Sequence, residues 1–372
     1  MRFTPIKCRY LLAPAAFFLG ALSVSPAPAE GATDAKDAGA RWIAATPDPM
    51  ASQAVARALA AKGPAAEREA IAAMAILVKL GTRASNGHVR TLLDGLARNT
   101  TWAVGDDVRA EAALLARSLA PDEGTDAGVR ADRAAGILTD VSVLGPFRDT
   151  GGGLDAHDGP EGPGGSFADT RTKYSWGAFE VAWRAVPPSY ATASGVPLDL
   201  FIHPRKESCT WLTSRVQSDK AEALTLRVAS TGQVRLMFDG AEIARSEDVH
   251  ASAVFDRLAA RVQASAGSHL VAAKICSGAL EDEGRVRVRV TRDGTPPPQT
   301  SAAAKIGVGK PPASGAGGSI TTPLARTLAT KDRDLDAMLD VAVARTFGGA
   351  DDLKSPRAPG LLDAITRAPK LD

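Results

Sequence analysis

"ALTLRVASTGQVRLMFDGAEIAR", residues 223–245, decides how the middle of this chain folds. Leu224, Leu226 and Val228 alternate with other residues, and so do Val234, Leu236 and Phe238. A period of two marks a strand with one buried face. "TGQ" (231–233) separates the two runs, and Asp239-Gly240 ends the second. Asp-Gly suits a turn whose backbone needs positive φ, so the stretch reads as strand, turn, strand, turn and return strand. Asp239 is needed for the turn itself; a ligand-binding role is the alternative.

The same pattern extends outward. "YSWGAFEVAWRAV" (174–186), "PLDLFI" (197–202), "CTWLTSRV" (209–216), "SHLVAAKIC" (268–276) and "GRVRVRVTR" (284–292) all read as strands. In the last, Val286, Val288 and Val290 point inward and Arg285, Arg287 and Arg289 outward. Short strands with turn signals roughly every ten residues predict an antiparallel β-sandwich over 139–293. One helix is expected to interrupt it at about 251–262. Leu212 and Val216 inward leave Cys209 and Trp211 on the outer face. Val271, Ala273 and Ile275 inward leave Lys274 and Cys276 there too.

Helices flank the sandwich. Residues 41–138 contain helical spacings broken by stop-and-start signals such as Gly63-Pro64 and Gly81. Residues 294–322 are rich in proline and glycine and read as a disordered linker. Helices resume over 323–372. The expected fold class is multidomain α+β: an N-terminal helical module, a jelly-roll-like antiparallel sandwich and a C-terminal helical segment.

The start of the chain has a basic head, an apolar stretch (11–24) and the small-residue triplet Ala27–Pro28–Ala29. This predicts a signal peptide over 1–29, followed by a flexible mature N-terminus over 30–40. The destination is the periplasm or the cell exterior, and membrane contact is expected only through that leader if it is not cleaved. Losing Arg2, Lys7 and Arg9 takes the net charge from +2 to one unit negative, which removes any electrostatic case for nucleic acid. Two cysteines remain, and in an oxidising compartment Cys209 and Cys276 are expected to pair. Such a bridge is worth up to ~4 kcal/mol on the chain-entropy account.

"LTLRVASTGQVRLMFDGAEIARSED" (224–248), "VLGPF" (143–147) and "GSHLVAAKI" (267–275) together resemble the galactose-binding-like sandwich of exported bacterial proteins. The hairpin departs from the commoner pattern at Thr231, where such modules often carry Asp. "APGLLDAITRAPKL" (358–371) resembles the second helix of a tetratricopeptide unit. The repeat begins and then stops, so the 323–372 segment reads as truncated at Asp372. The resemblance implies a sandwich beside helical repeats, in proteins that bind or that accompany a peptidase-like domain.

Catalytic signatures are missing from the sequence. It holds no Gly-x-Ser-x-Gly and no His-Glu-x-x-His, and its histidines (88, 157, 203, 250, 269) are scattered. "LDAHDGPEG" (154–162) could supply Asp155, His157, Asp158 and Glu161 to a metal such as calcium, or could be a solvated loop rim. For a sugar, an aromatic platform is needed; Tyr174, Trp176, Trp183 and Trp211 are the candidates, with Tyr174 and Trp176 on one face of their strand. The expected function is non-catalytic binding or scaffolding, the sandwich recognising a cell-envelope glycan or a protein surface. An accessory portion of a larger envelope enzyme and a purely structural envelope component are the alternatives.

Overall fold

The computed structural model describes residues 49–81, 86–149, 153–167, 169–277, 281–292, 299–301, 317–331 and 334–368. The expected leader and mature N-terminus lie outside these residues. Among them, no helix is long and apolar enough to cross a membrane.

The strands form two antiparallel sheets, as the alternation requires. They are β1 (Ser142–Arg148), β4 (Arg184–Ala185), β5 (Val196–Pro197), β6 (Ser208–Ser218), β7 (Glu222–Ser230), β8 (Gln233–Phe238), β9 (Ala241–Ser246), β10 (Leu258–Ala264), β11 (Gly267–Cys276), β12 (Arg285–Arg292), β13 (Gln299–Ser301) and β14 (Gly318–Ile320). The first sheet runs β4-β1-β6-β11-β8-β9, with β13 on the far half of β6; the second runs β14-β10-β7-β12-β5. A separate hairpin, β2 (Lys173–Trp176) and β3 (Phe179–Ala182), belongs to neither sheet.

The core between the sheets is made by the alternating residues. Leu212 and Val216, Val234 and Leu236, and Val271 and Ala273 of the first sheet meet Leu224, Leu226 and Val228 and Val286, Val288 and Val290 of the second. β8 and β9 join through a two-residue turn, with Phe238 opposite Ala241. Asp239 and Gly240 both have positive φ, 51° and 85°, the type I′ geometry that matches strand twist.

Four expectations change. Residues 197–202 form no strand: β5 ends at Pro197 and Leu198–Leu200 is a short 3-10 turn. The helix at 251–262 does not form; its second half is β10, pairing with β7 from Leu258↔Val228 to Ala264↔Glu222. Leu258, Ala260, Val262 and Ala264 enter the core at a period of two, so sheet pairing overrides the helical preference of an alanine-rich run. Residues 174–186 do not form one strand but a hairpin turned at Gly177 (φ 63°), plus β4. Within 294–322, residues 299–301 pair with β6 and 318–320 with β10, one strand for each sheet.

The helices are α1 (Pro49–Ala60), α2 (Pro64–Gly81), α3 (Asn86–Arg98), α4 (Asp106–Ser118), α5 (Asp126–Ala134), α6 (Pro323–Leu328), α7 (Leu335–Phe347) and α8 (Ala358–Arg367). Helices from the two ends of the sequence share a core. Ile71, Met74, Leu77, Leu92 and Leu115 are buried with Leu324 and Ala344, and Phe255 enters from the loop before β10. Ion pairs link the segments as well: Arg68 to Asp340 at 3.0 Å, and Arg326 to Glu67 and Asp107 at 2.7 and 2.6 Å.

Candidate functional site

The first sheet's outer face carries Cys209, Trp211, Lys274 and Cys276, as the alternation places them, and all four are buried. Residues 153–167 and 169–183 pack over this face. Leu144, Phe147, Leu154, Val181, Trp183, Cys209, Trp211, Met237 and Cys276 form a second apolar cluster there. Cys209 and Cys276 lie directly opposite each other on β6 and β11 and are joined as a disulfide. The face assignment that placed them together is therefore right, and the solvent exposure it implied is not.

Trp211 is fully buried. Phe167 meets it edge-on at 4.8 Å, and Arg235 and Lys274 lie over its ring at 5.7 and 5.6 Å. It is a core residue clamped by cations, not a platform. Thr231 is also buried, its hydroxyl bonded to Asp282. Asp239 is fully engaged. Its carboxylate takes the backbone N–H of Leu270 at 2.8 Å and lies 2.7 Å from His269 Nδ1.

The polar loop meets fixed cations. Asp155 pairs with Arg245 at 2.9 Å, and this bond holds its carboxyl below the usual range. Glu161 pairs closely with buried Arg235, His157 lies 3.9 Å from Glu161, and Asp158 precedes the short 159–161 turn without capping it. Lys274 Nζ donates to the carbonyls of Gly153, Leu154 and Ala156 at 2.7, 3.2 and 2.6 Å. Burial, helped by Arg235, pushes this ammonium down to about 8. Among the described residues, the three-ligand cluster that does converge is Asp149 with Cys209 and Cys276, and those sulfurs are bonded to each other. Arg235, Arg245 and Lys274 thus pair with the carboxylates and carbonyls of this loop. Only Lys274 was placed on this face by the sequence, and nothing local marked it as buried.

The β2–β3 hairpin is different. Its register pairs Tyr174 with Val181 and Trp176 with Phe179. The inner half is anchored: Val181 is buried, and the Tyr174 hydroxyl donates to Ser166 O at 3.0 Å and accepts from Ser166 N at 3.1 Å. Phe147 meets the Tyr174 ring edge-on at 6.4 Å. By the period-two rule Phe179 shares the face of Val181, yet it is 67% exposed. The apolar face of the hairpin therefore runs past the core it covers. Lys173 and Glu180, 3.0 Å apart, lie on the other face of the hairpin. Phe179 escaped the sequence reading because "AFEVAW" looks like one buried strand.

No protein-family model matches the chain, and no curated protein matches it. Among solved structures, a β-glucosidase from Kluyveromyces marxianus is 14% identical over 30% of this chain and 14% of its own length, with a TM-score of 0.24. A β-glucosidase from the same organism in complex with glucose is 10% identical over 61% of this chain and 23% of its own, also at 0.24. The chain spans less than a quarter of the length of either, and likeness at this level carries no argument about fold or activity.

Proposed function

We propose that this chain is an exported, non-catalytic binding protein whose galactose-binding-like sandwich presents the 173–182 hairpin to a cell-envelope glycan. The observation that carries the reading is Phe179, two-thirds exposed on an aromatic hairpin whose inner half is locked in place. At two-thirds exposure part of its surface is open to a ligand, and a sugar ring has a C–H face that suits an aromatic ring. Locking the base limits the ordering cost of binding. Export is supported by the leader-like sequence at 1–29 and by the joined cysteines. The tetratricopeptide-like pair α7–α8 would provide the scaffold side of the function.

The test is binding of the full chain to a panel of envelope and exopolysaccharide glycans, with and without calcium. Saturable binding that falls at least tenfold in Phe179→Ala and Trp176→Ala, with folding intact, is the expected result. Binding that survives both substitutions moves the site elsewhere. Binding to no glycan removes the glycan reading.

A further inference from the structure

His269 of β11 is fully buried and sits between two acceptors. Its Nδ1 lies 2.7 Å from Asp239 Oδ2, and its Nε2 lies 2.8 Å from the Ser265 carbonyl oxygen. Neither partner can donate near neutral pH. A neutral imidazole carries a single N–H, so one nitrogen would press its lone pair against an acceptor. The imidazolium satisfies both. The two acceptors come from different turns at the same end of the sandwich: Asp239 follows β8, and Ser265 precedes β11. Asp239 Oδ1 also accepts the Leu270 N–H, so the same carboxylate fixes the β11 backbone.

We propose that His269 is held as an imidazolium and acts as a pH-operated latch, joining the Asp239-Gly240 turn to the turn before β11 and releasing it on losing its proton. The charged groups facing the ring are Asp239 and, behind it, Arg215 of β6, which acts on the same carboxylate. The turn before β11 contributes the Ser265 carbonyl, and β8 contributes the Phe238 ring, stacked 5.0 Å away. Burial lowers the proton affinity of the imidazole, but the bonds to Asp239 and Ser265 outweigh it and raise the group above 6.5. A histidine raised on folding stabilises fully below its unfolded value and loses that contribution as pH rises through the folded one. The latch is therefore closed below the folded midpoint, which lies above 6.5, and opens as pH rises through it. Opening removes the ring's tie between the two turns and leaves the tip of the β8–β9 hairpin to the bonds between Asp239 and the Leu270 backbone.

The experiment is a pH titration of the full chain carrying ¹⁵N-labelled histidine, with His269→Gln to assign the signal among the five histidines. Both ring nitrogens of His269 should be protonated at pH 7, with a midpoint above 6.5. Asp239→Asn should lower that midpoint by about one unit or more. Asn accepts positive φ about as readily as Asp, so the turn is kept. Protection of the Leu270 amide against hydrogen exchange should drop through the same midpoint in the wild type. A single neutral tautomer at pH 7, or a midpoint unmoved by Asp239→Asn, overturns the proposal. Should Asp239→Asn fail to fold, the wild-type protonation state decides alone.

Discussion

The two outer faces of the sandwich are both covered, by different parts of the chain and with different chemistry. On the second sheet, Arg287 and Arg289 of β12 meet Asp256 from the loop before β10 and Glu111 from α4. Arg287 also donates to the carbonyls of Ala193 and Val254 at 2.6 and 3.1 Å. The helical body is thus attached through buried charge. On the first sheet, the cover is the chain's own residues 153–167 and 169–183, held by aromatic rings, a disulfide and one buried ammonium. The first arrangement is demanding about its partners, because a buried ion that loses its counter-charge is costly. The second is more forgiving, because apolar packing is shared among many residues.

That difference can be broken by substitution, and the largest effect should lie at the charged face. Asp256→Ala leaves two buried arginines short of an anion and should cost about 3–5 kcal/mol in urea unfolding. A loss below 1 kcal/mol would mean that water or Glu111 alone serves both arginines. Next comes the disulfide. Cys209→Ala with Cys276→Ala should cost about 2–4 kcal/mol, read in the same assay against the oxidised wild type. Lys274→Met should cost less, about 1–3 kcal/mol, by leaving the carbonyls of Gly153, Leu154 and Ala156 without their donor. Faster proteolysis within 149–183 should accompany it.

The smallest effect sharpens the comparison through pH. Burial and neighbouring Asp256 push the Glu111 carboxyl up to about 7, against partial relief from Arg289 and Arg287. The folded chain therefore keeps a proton that the unfolded chain releases near 4.5. Its contribution to stability is present below 4.5 and is lost as pH rises to about 7. Melting temperatures compared between wild type and Glu111→Gln should diverge across that window in favour of the variant, by a few degrees. A parallel pair of curves would place Glu111 as an ion throughout.

The sheets were legible because period-two alternation is local. Val286, Val288 and Val290 point where the pattern puts them, and the Asp239-Gly240 turn is of the type that dipeptide prefers. The pairing of Cys209 with Cys276 followed from the same alternation. What covers each face is not local. Arg287 and Arg289 read as solvated because Glu111 lies some 180 residues away in the sequence. Trp211 read as a platform because Phe167 and Lys274, which enclose it, approach from other elements. The 251–262 stretch misled for a related reason: alanine and arginine suit a helix, and only β7, across the sheet, makes it a strand. At the candidate site, Phe179 needed the hairpin to be seen.

The disulfide has a consequence when the chain is pulled from its ends. α8 exposes most of its surface and packs chiefly on α7, so it should peel away at low force. Once the sheets yield, Cys209 and Cys276 stay joined, and the 67-residue span between them cannot pay out. This shortens the fully extended tether by roughly 220–240 Å. β6, β7, β8, β9, β10 and β11 all lie within that span, so a stretched molecule keeps a closed loop containing strands of both sheets, ready to re-form when the load is released.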